Sequence, residues 1–141
     1  MEKKTPKEYL RQLRTAEIKI EQKEEELERL KSSLESISTG TDSERVQTTP
    51  RDRLSEEVPI IADLKEEIKS DIKALLILKN KIINEIQSMD NPIYINILYK
   101  RYVQYKSLEE IAVETSYSYR WIKHLHGIAL QEFKRFIKGF D

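Results

Sequence analysis

Leucine and isoleucine recur every seven residues along two long stretches of this 141-residue chain, and no other feature narrows its possible folds as much. In the first stretch the recurring residues are Leu13, Ile20, Leu27 and Leu34, and the positions three after or four before them hold Tyr9, Ala16, Lys23, Leu30 and Ile37. A seven-residue spacing places side chains on one stripe of an α-helix, so this is a coiled-coil seam with one charged break, at Lys23. Glu21, Glu24, Glu25, Glu26 and Glu28 load the other faces and read as a solvated surface. Thr5 can cap this helix, and Pro6 suits a first turn in which its missing N–H costs nothing. The spacing predicts a helix over about residues 5–37.

Ile61, Ile68, Leu75, Ile82 and Met89 keep the same period, supported by Leu64, Ile72, Leu78 and Ile86, and predict a second helix over about residues 56–89. At 1.5 Å per residue each helix is ~45–50 Å long. Matched lengths predict an antiparallel helical hairpin. The apolar stripe of the second helix is wider than one neighbour covers, so a homodimer through the long helices is expected. Residues 38–55, STGTDSERVQTTPRDRLS, are hydroxylated, mixed in charge and poor in apolar side chains, which predicts a flexible linker or long hairpin loop serving as a tether.

Composition removes several classes. Apolar residues make up 38% of the chain, enough for helices to pack on one another but too few for a large globular core. No cysteine is present, so there is neither a disulfide framework nor a thiolate metal site. The opening MEKKTPKEYLRQLR lacks the apolar stretch of a signal peptide, and no apolar run approaches the roughly 20 residues of a membrane span. A cytoplasmic protein with no membrane partner is expected. With three glycines and no phosphate loop, paired catalytic carboxylates or Ser/His/Asp spacing, neither an enzyme nor a cofactor is expected.

Residues 90–141 differ in kind. Asp90 or Asn91 can cap a helix with Pro92 in its first turn, and Tyr94, Ile95, Leu98 and Tyr102 then face inward as far as about Val103. Gln104-Tyr105-Lys106 turns the chain into Ser107, which with Glu110 three residues on forms a capping box. Leu108, Ile111 and Ala112 make one apolar stripe, Thr115 to Ser118 interrupt it, and Ser118 is placed to cap the next helix. On that helix Ile122, Leu125, Ala129 and Phe133 share a face; Arg120, His124 and Gln131 point away from it, with Tyr119 and Lys123 on one flank. Trp121, on the other flank, is read as packing rather than as a base contact. His126 falls on the inward side and is read as a structural histidine. His124 and His126 are two residues apart and share no helix face, and nothing completes a ligand set, so no metal is expected.

The fold expected is therefore all-α: a coiled-coil-like antiparallel hairpin over residues 1–89, then a three-helix helix-turn-helix over residues 90–141. Donors and flat rings gather at the N-terminal end of the last helix, where the helix dipole favours phosphate, and this is the end that a recognition helix presents to double-stranded DNA in the major groove. From Asn91 onward there are 8 Lys and Arg against 5 Asp and Glu. That excess is a modest electrostatic footprint, so tight DNA binding calls for a dimer or a second DNA-bound partner. Lys134, Arg135 and Lys138 can serve equally to complement the helix C-terminus or to touch phosphate.

The run LYKRYVQYKSLEEIAVETSYSYRWIKHLHGIALQEF resembles region 4 of the sigma-70 factors, through Leu98, Arg101, Tyr102, Ser107, Leu108, Glu110, Ile111, Ala112, Ser118, Ile122, Leu125, Ala129 and Leu130. With its KEYLRQLR opening and polar linker, the chain also resembles a family of small phage proteins of Gram-positive hosts, regarded as transcription regulators, some of late genes. The resemblance implies DNA contacts at Tyr119, Arg120, Lys123 and His124, with Ser118 near the backbone, inside a recognition helix over residues 118–136. It departs at Ser116, where the turn usually holds glycine, which requires either leaving the left-handed region or tolerating strain. It departs again at Tyr119, Trp121 and His124, positions often basic or amide-bearing in sigma factors, so the DNA element read need not be the same. Sigma regions 2 and 3 have no counterpart, so the chain is not expected to melt a promoter alone.

The function expected is a phage-type DNA-binding transcription regulator in the bacterial host cytoplasm, its hairpin dimerising or contacting host RNA polymerase. A small terminase-like DNA-packaging subunit, built as a ring, is one alternative. A polymerase-binding module that never touches DNA is another.

Overall fold

Proline opens three of the helices, because each first turn needs no N–H from its leading residue. In the computed structural model, which describes residues 4–39 and 50–137 and the side chains of residues 4–36 and 59–137, the described chain is all-helical, with no strand. Its elements are α1 (Pro6–Thr39), α2 (Pro50–Gln87), α3 (Pro92–Leu98), a π-helical turn (Tyr99–Val103), α4 (Leu108–Thr115) and α5 (Tyr119–Phe136). Most of the predicted linker and the cation Lys138 lie outside the described residues, as does the side chain of the seam position Ile37.

Two boundaries differ from expectation. The second helix begins at Pro50 rather than near residue 56, so residues 50–55 are helix and not linker; the charged, hydroxylated composition hid a proline-led first turn. Pro59 lies inside α2 and removes one intrahelical donor there. The third helix does not run as α-helix to Val103. After Leu98 it widens into a π turn, closed by the Gln104 N–H donating to the Tyr99 carbonyl at 3.1 Å, and just beyond it the Lys106 N–H donates to the Lys100 carbonyl at 3.0 Å. The widened turn lets Tyr102 and Val103 both reach the core that Leu98 already enters.

Two compact units are present, and they do not divide at residue 90. One comprises Glu17–Ala74. Within it Ile20, Ile61 and Ile68 are buried, and Lys23, the charged break in the α1 seam, is met from α2 by Asp71 at 2.5 Å and Glu67 at 3.3 Å. Hydrogen bonds to Asp71, then Glu67, hold the Lys23 ammonium above its ordinary range. Both carboxylates are well exposed, so these pairs fix which residues face each other more than they stabilise.

The other unit joins Met1–Ala16 to Leu75–Asp141, because the early turns of α1 and the late turns of α2 share a core with the C-terminal helices. Thr5 and Glu8 close a reciprocal cap on α1, with Thr5 Oγ1 accepting from the Glu8 N–H at 3.2 Å and Glu8 Oε2 accepting from the Thr5 N–H at 3.1 Å. Leu10, Leu13, Ile82, Ile86 and Met89 then pack with Leu98, Tyr102, Val103, Ala129 and Phe133. Tyr9 ties three helices: its ring lies 6.2 Å from that of Phe133, and its hydroxyl donates to Glu85. Burial, then the Glu85 carboxylate, push the Tyr9 phenol upward. A second cluster, Ile97, Ile111, Ala112, Ile122 and Leu125, joins α3, α4 and α5.

His126 is the one buried polar residue among these, 9% exposed. Its Nε2 shares a 2.8 Å hydrogen bond with the Tyr102 hydroxyl, and the two rings stack with centres 5.7 Å apart. It is thus a satisfied core histidine, as its inward position indicated. Burial first, then the positive charges of Arg101, Lys7 and Arg11, push its imidazole down from 6.5 to about 4. The folded state therefore prefers the neutral ring, while the unfolded chain takes up a proton once pH falls below 6.5. The stability this histidine contributes is complete above pH 6.5 and is lost as pH falls toward 4, roughly 3 kcal/mol in all at about 1.4 kcal/mol per unit. Urea denaturation at pH 7 and pH 4.5 should show a steeper loss for the native chain than for His126→Gln, and parallel losses would show that His126 is not the group responsible.

Candidate nucleic-acid interface

Ser107 fixes the start of α4 through both halves of a capping box: its Oγ accepts from the Glu110 N–H at 3.1 Å, and its own N–H donates to Glu110 Oε1 at 2.9 Å. These bonds hold the Glu110 carboxyl below the usual carboxylate range. At the other end, Thr115 Oγ1 donates back to the Ile111 carbonyl at 2.7 Å, and Ser116 ends the helix in the left-handed region, φ 64° and ψ 22°. Ser116 therefore does not escape the conformation that glycine usually fills; it occupies it, at a cost of about 1–2 kcal/mol for a residue with a Cβ. Two residues later Ser118 Oγ accepts from the Trp121 N–H at 3.0 Å and starts α5.

The buried face of α5 is Ile122, Leu125, His126, Ala129 and Phe133. That arrangement leaves Ser118, Tyr119, Arg120, Lys123 and His124 all exposed at or near the first turns of the helix. Lys123 Nζ lies 5.2 Å from the centre of the Tyr119 ring, a cation–π contact that stiffens both side chains. The His124 ring lies 5.1 Å from that of Trp121. Trp121 is 47% exposed, so it is not the packing residue that its flanking position had indicated. The reason is geometric: α3 and α4 cover the Ile122 and Leu125 side of α5 and leave the Trp121 flank open. Tyr117 and Val113, which carried no signal in the sequence, are exposed as well, Val113 by 82%.

Three other cations of this region are paired. Glu114 takes Lys100 at 2.6 Å and Lys106 at 2.5 Å, and hydrogen bonds to these two hold its carboxyl low. Arg135 pairs with Glu132 at 3.2 Å. Among the described residues Arg120 and Lys123 form no ion pair, so two cations not matched by an acid lie beside the exposed rings. No group of three or more His, Asp or Glu side chains is gathered to hold a metal among the described residues, and His124 and His126 face different surroundings. No described helix is long and apolar enough to cross a membrane.

No protein-family model, curated protein or solved structure matches this chain. The geometry of the exposed end of α5 must therefore be read on its own terms. Two cations, three aromatic side chains and an imidazole stand on one short stretch at the N-terminal end of a helix, a combination suited to phosphate oxygens and flat bases.

The turn that aims this stretch carries a testable strain. Ser116 is exposed, so replacing it with glycine removes the left-handed penalty while losing no buried contact, partly offset by the greater freedom of glycine in the unfolded chain. Ser116→Gly should raise stability by about 0.5–1 kcal/mol, and Ser116→Val should lower it by more. Thermal melts in which glycine is neutral or destabilising would show that the left-handed turn is not a source of strain.

Proposed function

We propose that α4, its turn and α5 form a helix-turn-helix that docks on double-stranded DNA with the first turns of α5 in the major groove, and that the chain is a transcription regulator of phage type. The observation that carries this reading is the exposed cluster Tyr119, Arg120, Lys123 and His124, held on a helix whose opposite face is fully engaged in the core. Arg120 and Lys123 are the proposed base and phosphate contacts, and Ser118 the one nearest the backbone. The likeness of residues 98–133 to sigma-70 region 4, carried by Arg101, Ser107, Glu110, Ile111, Ala112, Ser118 and Ile122, supports the same reading and makes host RNA polymerase a proposed partner.

We further propose that α1 and α2 pair as an antiparallel hairpin and that two chains associate through it. The partners Tyr9 with Glu85 and Lys23 with Asp71, whose numbers rise along one helix as they fall along the other, support the hairpin. Leu76 and Ile77 on α2, 59% and 64% exposed, support association with a second copy. A dimer would double a small positive charge excess, which one chain alone brings to DNA.

Trp121 is the only tryptophan, so its fluorescence reports this surface without a label. Titration with duplexes from a randomised pool at about 50 mM salt should quench it saturably, with non-specific dissociation constants near those usual for such contacts, ~10⁻⁶ to 10⁻⁴ M. Arg120→Ala with Lys123→Ala should weaken binding at least tenfold, on the order of 1–3 kcal/mol for a base-edge contact, and flatten the salt dependence by about one unit of slope for each phosphate lost. Equal affinity of the double variant, or absence of any enriched duplex after selection, would remove DNA as the partner. A light-scattering mass of a ring of many chains rather than a monomer or dimer would favour a packaging subunit instead.

A further inference from the structure

Gly127 stands inside α5, where the fold itself has no use for a glycine. It is the one glycine among the described residues. A helix interior disfavours glycine more than any residue but proline, because the backbone gives up most freedom there and gains no side chain to pack. Three circumstances ordinarily account for a glycine within a helix, and none of them applies. Gly127 lies in regular α-helix rather than in a left-handed turn, and α5 runs on beyond it to Phe136, so it neither bends nor ends the helix. Nor does a neighbour crowd it, since a Cβ placed there meets nothing from the rest of the chain within 4 Å.

Its position shows what the gap faces. Arg120, His124, Gly127 and Gln131 follow one another at steps of four, three and four residues, so they form one stripe along the helix. All four are exposed, while Leu125, His126 and Ala129 beside them are buried. The stripe therefore runs down the middle of the solvent face, and Gly127 is a gap in it with hydrogen-bonding side chains on either side. No Asp or Glu occurs between Tyr119 and Gln131, so nothing along it repels a polyanion. Arginine and glutamine are also the side chains whose paired hydrogen bonds match the major-groove edges of guanine and adenine. An α-helix with its side chains is ~10–12 Å across and the major groove about 12 Å wide, so the helix nearly fills the groove. Whatever side chain points at the groove floor then sets how deeply the backbone sits, and a glycine lets it sit deepest.

We propose that Gly127 is the seating position of α5 on duplex DNA: its missing side chain brings the helix backbone against the floor of the major groove, so that Arg120 and His124 before it and Gln131 after it reach base edges together. This role rests on the docking of α5 on DNA proposed above. It extends the contact past the first turns of the helix to Gln131, and it gives a residue without a side chain control over affinity.

The probe is the duplex that the full native chain enriches from a randomised pool, end-labelled with fluorescein and followed by anisotropy at about 50 mM salt. Gly127→Ala should raise the melting temperature, because alanine enters open space and favours helix, and should nevertheless weaken binding. Gly127→Leu should weaken binding further, by about tenfold or more, the size of a lost base contact. Gln131→Ala should relax the preference at one base pair of the enriched duplex and leave the melting temperature within a degree or two of native, at roughly the scale of a surface change. Native affinity in both Gly127 variants, for a duplex that the native chain binds, would overturn the seating role and leave DNA docking standing. A melting temperature lowered by alanine would overturn it as well, by showing that the fold itself needs the glycine. Enrichment of no duplex by the native chain would remove DNA as the partner, and the seating role with it.

Discussion

The exposed end of α5 has a fixed direction only because the rest of the helix is buried along one stripe. Ile122 and Leu125 enter the cluster built with α3 and α4, while Ala129 and Phe133 enter the cluster built with Leu10, Leu13, Ile82 and Ile86. At about 1.5–3 kcal/mol for each large apolar side chain buried, these contacts outweigh anything on the solvent side of the same helix. Arg120, Lys123 and His124 contribute little to holding the helix, which leaves their chemistry free to serve a partner. The same stripe explains why the N-terminus of α1 belongs with the C-terminal helices: Phe133 needs Leu10 and Leu13 as well as α2 to be covered.

Polar groups inside this packing select one arrangement among several that apolar residues alone would permit. A seven-residue stripe can slide by a heptad and still bury its leucines. The Tyr9 hydroxyl on Glu85 and the Lys23 ammonium between Glu67 and Asp71 cannot be kept after such a slip, and the Tyr102 hydroxyl on His126 likewise fixes the π turn against α5. Each is worth little as an energy, since hydrogen bonds typically net about 1 kcal/mol, and the two exposed ion pairs less. Their value lies in what is lost when they are misplaced, because a buried hydroxyl or imidazole left without a partner costs more than the bond supplies.

Much of this was legible in the sequence because it is periodic. The heptads place Leu13, Ile20, Ile61, Ile68, Ile82 and Met89 inside, the wheel of α5 places its four apolar residues and His126 inside, and the capping box at Ser107 and Glu110 is local enough to read directly. The exposure of Ser118, Tyr119, Arg120, Lys123 and His124 follows from the same wheel. What was not legible depends on tertiary context. Leu10 adjoins the seam rather than standing on it, and is buried because the C-terminal helices cover that flank of α1. Trp121 is exposed because nothing reaches its flank of α5, a fact about α3 and α4 that no window around Trp121 contains. The π turn at Tyr99–Val103 has no composition of its own, and one cavity joins residues some ninety positions apart, Arg11 and Arg101.

Charge distribution within the C-terminal region separates residues that hold the fold from residues available to a ligand. Simple counting gives a small positive excess, yet Glu114 occupies both Lys100 and Lys106, and Glu132 occupies Arg135. Those pairs lie at the surface and add little stability, but they lower the field that an approaching anion meets from that side. Among the cations without a matching acid, Arg120 and Lys123 stand beside exposed rings on α5, and Arg11 and Arg101 line one cavity with Tyr102. The first is open and ringed by aromatic side chains, which suits an extended, flat-faced partner. The second lines a concave surface beside Tyr102. Overall neutrality of the chain therefore conceals local groups of cations that stand in differently shaped surroundings.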